Sequence, residues 1–508
     1  MKKLTIIGFI TFVFLGLSSC SDSFLTVDPA SSVPADETYY NTKEHLTQAL
    51  VAAYDPLKWY DYFYNYESLP MVSDIMSEDV MTGGGDENDC IYLHRMANFS
   101  ALPTSVCNQS WTICYSGINR CNIVLKYIDN ATDMTDAEKA EYTSEATVLR
   151  AWYYSVLWKY WGNIPYYETN LTYPYLCPQS THDEVYEKLA SALETIIEKD
   201  ALPMKSQVGS EGHVTKAMAE MLYAEVVMYQ VDKTRYAKAL TYMKEIINSG
   251  KYSLVSDFAS MWESTGEWGT ESIFEINYTA TNGGRSWNAP IATGGTVYPK
   301  LIGINGLSKS PDYNGGWGFE PVSESAYTLF DNTDKRRDAS ILNFTTYAAE
   351  TGATYSPRYE DTGYFLRKYL PRINGNKGYT GDADMNYNNN VRIYRYSETL
   401  LNAAELSLDA SSGGNSADAK TYLDLVRTRA GLSSVAPTVD NILNERHKEF
   451  VGEGKRYWDL VRSGKAATVL VAGSTLTRTV GWTESKKYLP IPQSEIDAAQ
   501  GTLTQNSY

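Results

Sequence analysis

Apolar residues recur at three- and four-residue spacing through most of this chain, a period that admits helices and leaves little room for sheet. Residues 143–161 place Leu149, Trp152, Tyr153, Val156, Leu157 and Tyr160 on one helical face. Thr181-His182-Asp183-Glu184 has the form of a capping box, in which a threonine oxygen and a glutamate satisfy each other's free amides. It opens a helix with Val185, Leu189, Ala192 and Ile196 inward. Residues 214–230 carry Ala217, Met221, Ala224 and Met228; residues 236–248 carry Tyr236, Leu240, Met243 and Ile247 and stop at Ser249-Gly250, a suitable C-terminal cap. Residues 391–408 read as helical through Tyr396, Leu400 and Ala403, and 418–430 through Ala419, Leu423, Val426 and Ala430 before Gly431. Alanines at contact positions let helices approach closely. The fold class expected is therefore mostly α, with tetratricopeptide-like hairpins stacked side by side. A clean repeat of about 34 residues is missing, so any array is degenerate. Strand signals are few, and "SIFEINY" (272–278) alternates best.

Two stretches break the helical pattern. Residues 280–320 hold nine of the 35 glycines together with Trp287, Tyr298, Tyr313, Trp317 and Phe319, and residues 372–390 are rich in Gly and Asn. Long irregular segments in a compact chain are either functional or disordered, and aromatic rings argue against disorder. Tyrosine is the unusual residue of the composition, 41 against 13 Phe and 11 Trp. Its flat apolar face and polar tip suit half-wet surfaces.

The N-terminus fixes the compartment. Met1-Lys2-Lys3 precedes an apolar run from Leu4 to Leu17, the form of an export signal and too short for a spanning helix, which needs about 20 residues. Leu17-Ser18-Ser19-Cys20 resembles a bacterial lipobox, which makes Cys20 a lipid attachment point; multiple acyl chains anchor stably where one does not. Ser21-Asp22-Ser23 then reads as a polar tether. The formal charge of −17, two units more negative once Lys2 and Lys3 leave with the signal, makes nucleic acid a poor partner. The remaining Cys90, Cys107, Cys114, Cys121 and Cys177 are odd in number and lack a CxxC pair. They indicate neither zinc site nor disulfide framework, and small buried fillers are the expectation.

An ordered series of segments resembles the SusD/RagB-type outer-membrane glycan-binding lipoproteins. It runs through "CSDSFLTVDP" (20–29), "SWTICYSGINRCNIVL" (110–125), "SEATVLRAWYYSVLWKYWGNIPY" (144–166) and "SGKYSLVSDFASMW" (249–262). It continues with "ESIFEINY" (271–278), "VRIYRYSETLLNAAEL" (391–406), "VRTRAGL" (426–432) and "ERHKEFVGEGKRYWDLVRSG" (445–464), and closes with "YLPIPQSEID" (488–497) and "QNSY" (505–508). Ser144 departs from a common family glycine. The resemblance implies a signal peptide at 1–19, a lipidated tether at 20–30 and a single body at 31–508. In that body, helical hairpins would occupy roughly 31–270 and 391–464, with a loop-rich ligand region at 271–390. It also implies a lipid anchor in the outer membrane facing the cell surface, an oligosaccharide or polysaccharide ligand, and a SusC-like TonB-dependent transporter as partner. Capture of oligosaccharide for that transporter is the function expected. A lid for peptide cargo is the alternative, and an anchored glycoside hydrolase a further one.

A sugar ring has a face of C–H groups for an aromatic platform and an edge of hydroxyls for amides, carboxylates and arginine. Trp287, Trp317, Tyr298 and Tyr313 sit among glycines and polar residues rather than at helical spacing, which makes them the ligand-binding candidates. By resemblance, an earlier loop at 74–98 adds Tyr92 and Arg95. No nucleophile elbow, P-loop or dinucleotide fingerprint appears, and the histidines at 45, 94, 182, 213 and 447 share no motif spacing; an enzyme is not expected. Glu445 and Glu449 lie one helical turn apart with His447 between, but Arg446, Lys448, Lys455, Arg456 and Arg462 balance them. A structural ion network is expected there. Asp382, Asp384 and Asn386 place oxygens at the first, third and fifth positions of a calcium loop. Tyr387 and Ile393 then occupy the positions where an EF-hand needs glycine and glutamate. A loose Ca2+ site is the most this segment suggests; no other cofactor is expected.

Overall fold

The computed structural model describes residues 36–508. The expected signal peptide, the expected lipid attachment point at Cys20 and the 20–30 tether lie outside the described residues. Ten helices organise the body: α1 (Lys43–Tyr54), α2 (Asn108–Tyr127), α3 (Asp136–Trp161), α4 (His182–Lys199), α5 (Lys216–Gln230), α6 (Tyr236–Asn248), α7 (Tyr396–Leu406), α8 (Ser416–Arg429), α9 (Val439–Phe450) and α10 (Arg456–Arg462). Consecutive members pair as α1–α2, α3–α4, α5–α6 and α7–α8, and α2–α3 and α4–α5 contacts stack the pairs. Helix α6 then packs on α7, although the chain makes a long excursion between Asn248 and Tyr396. The stack of hairpins expected from periodicity is thus present, and its last hairpin is supplied from beyond the loop-rich region. Among the described residues, no helix is long and apolar enough to cross a membrane.

The capping box at Thr181 forms as expected, with Glu184 N–H donating to Thr181 Oγ1 and Thr181 N–H to Glu184 Oε2 at 2.8 Å. A second one, Thr135 with Glu138, opens α3. The spacing along α3 puts one face inward, yet from Ser144 to Trp161 every residue except Lys159 is buried. The helix lies between α2 on one side and α4 on the other, so both faces are covered and the polar residues are satisfied inside. Arg150, for instance, donates to Asn122 Oδ1 at 2.9 Å. Cys107, Cys114 and Cys121 are fully buried free thiols, as expected of fillers, whereas Cys90 and Cys177 are free but only half-buried, which corrects that expectation for these two.

The tightest approach in the stack is at Gly117 on α2. A Cβ there would come within 2.3 Å of the Tyr153 ring. That ring is fully buried, and its hydroxyl donates to Ala53 O on α1 at 2.8 Å, so it cannot swing aside without leaving a donor unpaired. Gly117→Ala is expected to cost about 1–3 kcal/mol through overpacking, despite alanine's better helix propensity. Chemical denaturation would measure it, and an unchanged or raised midpoint would refute the pinned-ring account.

Residues 391–395 depart from the helical reading. They form strand β4 (Val391–Arg395), antiparallel to β1 (Ser272–Ile276), and α7 starts only at Tyr396. "VRIYR" alternates with β-branched residues, a pattern of period two that the helical residues after it mask. A second ladder, β2 (Ile341–Asn343) with β3 (Tyr364–Leu366), belongs to a small separate core of Ile304, Tyr313, Leu342, Phe344, Tyr347, Phe365 and Leu370. The 271–390 region therefore has an interior of its own.

An ion network does form around Glu445 and Glu449, at the joint between α8, α9 and this excursion, but the cations expected to balance them go elsewhere: Arg446 to Glu398 and Asp459, Lys448 to Asp331, Lys455 to Glu398, Arg456 to Glu78 and Arg462 to Glu405 and Asp459. Glu449 accepts from Arg336, Arg395 and Arg429; Glu445 pairs with Arg336 and Arg427, and Glu453 with Lys368 and Arg395. Glu271, just before β1, takes Arg395 and Arg429. Nearly all of the groups paired around Glu271, Glu445, Glu449 and Glu453 are buried, and charges taken out of water persist only when paired in this way.

Candidate ligand-binding face

The loop region and residues 61–67 together present a continuous wall of five rings. Trp287 and Trp317 stand 5.9 Å apart between centroids at 32°, Tyr62 meets the edge of Trp287 at 5.2 Å, and Tyr66 meets Trp317 at 5.9 Å. Tyr62 and Tyr66 lie 5.3 Å apart, and Tyr64 extends the wall from Tyr62. Tyr64 is 59% exposed, and the other four are half-buried. Rings set at angles to one another form a faceted surface rather than a flat stack.

Local sequence explains how the rings are presented. In "DYFYNYE" (61–67), Phe63 turns inward and stacks on Trp59 at 5.3 Å and 12°, leaving Tyr62, Tyr64 and Tyr66 to face outward. Tyr64 holds φ +71°, a left-handed conformation that a bulky residue rarely adopts and that is retained only where the surroundings impose it. Arg285 fixes the start of this loop. Its guanidinium is 0% exposed and donates to Asp61 Oδ2 (2.8 Å), Gly295 O (2.7 Å), Pro290 O (2.8 Å) and Tyr62 O (3.0 Å). One side chain thus fastens the tyrosine loop to the Trp287 loop. Trp317 is fixed through its backbone, its N–H donating to Lys300 O at 2.9 Å. There the chain passes so close to Gly303 that a Cβ on Gly316 would lie 2.3 Å from the Gly303 Cα. Beside the tryptophans, Lys300, Asn314, Asn376, Asp384 and Tyr387 line an open polar pocket of about 480 Å³. It supplies the amide and charged groups that an apolar wall lacks.

Of the residues expected to meet ligand, Trp287 and Trp317 are in the wall. Tyr298 and Tyr313 are not, which corrects that expectation. Tyr298 is 1% exposed and packs on Tyr369; Tyr313 is 4% exposed, sits in the small core and accepts from Arg367 Nε at 3.1 Å. Their glycine-rich surroundings reflect close backbone passage, not surface display. Tyr92 takes a supporting place, its hydroxyl accepting from Tyr66 N and donating to Tyr66 O, both at 2.9 Å. Arg95, three residues on, shares that face of the short helix Ile91–Ala97. In the segment expected to offer calcium oxygens, one oxygen of each residue is engaged: Asp382 Oδ2 accepts from Trp287 N–H, Asp384 Oδ1 pairs with Lys300, and Asn386 Oδ1 accepts from Gly295 N–H. The segment acts as a brace for the Trp287 loop. Tyr62, Tyr64, Tyr66 and Arg285 escaped the sequence reading, although tyrosine at every second position from 60 to 66 was a visible signal.

Glu67 anchors the end of the tyrosine loop to the start of α2, accepting from Gln109 N–H, Ser110 N–H and Ser110 Oγ. Burial nevertheless pushes its carboxyl up to about 7, and burial pushes Glu220 up to about 9. Both folded-state values lie above the ordinary carboxylate range of about 4.3, so the native state holds more protons than the unfolded chain between the two. Stability from these groups is fully present below about pH 4.3 and falls as pH rises through 7 and then 9. Melting temperature is expected to decline from pH 5 to pH 8, and Glu67→Gln to flatten the lower part of that decline. A melting temperature that climbs across this range would contradict the assignment.

Hairpins stacked into a scaffold, with an aromatic wall presented on loops, define a helical-repeat protein with a ring-lined surface. The chain belongs to the SusD family. The profile described as "SusD family" matches residues 270–508, and the one described as "Starch-binding associating with outer membrane" matches residues 23–227. Among solved structures, surface glycan-binding protein A from Bacteroides thetaiotaomicron, in complex with laminarihexaose, is 48% identical over 92% of this chain and 100% of that one, with a TM-score of 0.87. Surface glycan-binding protein A from Bacteroides uniformis is 44% identical over 92% and 100%, with a TM-score of 0.83. A laminarin-binding SusD-like protein is 29% identical over 92% and 99%, with a TM-score of 0.82.

Proposed function

We propose that this protein is a non-catalytic binder of laminarin-type glucan, held at the outer-membrane surface by lipid on Cys20, that hands oligosaccharide to a SusC-like TonB-dependent transporter. The observation that carries the reading is the faceted wall of Tyr62, Tyr64, Tyr66, Trp287 and Trp317. A glucan whose rings turn along the chain can lay successive C–H faces against successive facets. A wall already fixed by Arg285 and by backbone hydrogen bonds avoids the ordering cost of binding. The 48% identity to a protein solved with laminarihexaose supports the choice of glucan. Tethering near a transporter makes a modest affinity sufficient, because the second encounter occurs at high effective concentration.

Affinity electrophoresis of the mature protein against laminarin, starch, cellulose-type and host glycans tests the ligand. Retardation by laminarin and release of no reducing sugar are expected. Failure to bind laminarin, or cleavage of it, would overturn the reading. Acyl labelling lost in Cys20→Ala tests the anchor.

A further inference from the structure

We propose that Glu78, Asp79 and His447 form a binding site for a divalent transition-metal ion of the zinc class, seated between the 77–84 segment and helix α9. His447 stands two residues from both Glu445 and Glu449, so it leaves α9 on a different side from the ion network. Its Nε2 lies 2.6 Å from Asp79 Oδ1, and one ligand atom from each of the three residues falls within 4.8 Å of the others.

Each carboxylate keeps an oxygen that could serve a cation. Asp79 is 0% exposed and its Oδ2 has no hydrogen-bond partner. Glu78 spends Oε1 on Arg456, at 3.0 Å to Nε and 2.6 Å to Nη2, and its Oε2 is buried and unpartnered. Buried polar atoms without partners are rare because each forfeits its hydration for nothing. Here two of them belong to the carboxylates that group with the His447 imidazole. The surrounding charge also favours a cation. Buried Asp74 feels the charges of both Asp79 and Glu320, so the surroundings of Asp79 carry further negative charge. The cations facing these carboxylates are Arg456, ion-paired to Glu78, Arg478, which feels the Glu78 charge, and Lys368, whose charge Asp74 feels although it is ion-paired to Glu453.

Ligand type selects the metal. One imidazole with two carboxylates, and water in the fourth position, is a zinc donor set, whereas calcium takes six to eight oxygens. Ligand atoms about 2.1 Å from a tetrahedral ion lie about 3.4 Å apart, so His447 and Asp79, now 2.6 Å apart, need to separate by less than about 1 Å. The ion would clamp α9 to the segment that supports Trp317. Ser323 N–H donates to Asp79 O at 2.7 Å, Glu320 N–H donates to Thr82 O at 3.0 Å, and Gly83 bridges to Phe319.

The test uses the mature protein, stripped with chelator and titrated with Zn2+ by calorimetry, with Co2+ as a spectroscopic probe. Expected are saturable binding of one Zn2+ per chain, a raised melting temperature, and visible Co2+ absorption of tetrahedral intensity. His447→Gln is expected to weaken Zn2+ binding by about 100-fold or more and to abolish the Co2+ bands. Glu78→Gln removes a ligand charge at a half-buried position, and is read in the same way should His447→Gln fail to fold. No saturable Zn2+ binding in the wild type, or binding and Co2+ bands unchanged in the folded variants, would overturn the proposal.

Discussion

Trp287→Ala is expected to weaken laminarin binding by about 30-fold or more while leaving the melting temperature close to wild type. Aromatic anchors of binding surfaces cost about 2 kcal/mol or more when truncated, and 2 kcal/mol is about 30-fold in Kd. Trp287 is half-buried, its ring contacts are with Tyr62 and Trp317 on the same wall, and its position is set by the backbone bond to Asp382. Removing the indole therefore takes away ligand-facing surface without opening the core. Trp317→Ala is expected to act similarly, and the pair together to bring binding below detection, because the two rings supply adjacent facets. Tyr298→Ala is the informative contrast. Its ring is sealed against Tyr369, so it should lower stability by several kcal/mol and alter binding only through folding. Calorimetry with laminarihexaose and thermal melts on the same preparations separate the two effects. Wild-type affinity in both tryptophan variants would remove the wall from the function.

The sequence exposed the scaffold better than the face. Helices with a strong three-four period and capping boxes were legible because each signal is local: Thr181 and Glu184 sit three residues apart and bond to each other. Strand β4 was lost because "VRIYR" runs without a turn into "YSETLLNAAEL", and its partner β1 lies more than a hundred residues away. Tyr298 and Tyr313 share their glycine-rich setting with Trp287 and Trp317. Only tertiary contact tells which ring faces the interior, since glycines mark close backbone approach in both cases. Arg285 was invisible for the same reason. Its role consists of four acceptors from two separate loops, and no spacing along the chain encodes that convergence. The tyrosines at 62, 64 and 66 were the recoverable miss, an alternation of period two that ends at the buried anchor Glu67.

The second large effect is expected at Glu449. Burial alone would push its carboxyl up, but Arg429, Arg395 and Arg336 outweigh burial and hold it well below the ordinary carboxylate range. A network of this kind need not make a protein more stable than a well-packed apolar core would, because desolvation consumes much of the Coulombic gain. Removing one member is a different matter. Glu449→Ala leaves three buried guanidiniums short of a counter-charge at once, and breaking even a single buried pair costs about 3–5 kcal/mol. Against a total stability of about 5–15 kcal/mol, that is a large share of the fold. Glu449→Gln should recover little of it, because an amide fills the space without supplying charge. The loss should also be spatially selective. Arg336 and Arg395 come from the loop-rich excursion and Arg429 from the end of α8, so the variant detaches the ligand-facing region from the hairpins before the hairpins themselves melt. Hydrogen exchange should then show lost protection in β1 and β4 while α2 and α3 stay protected. A Glu449→Ala protein that melts as the wild type does, with unchanged exchange in β4, would mean that the arginines find other partners and that the network is not what joins the two parts.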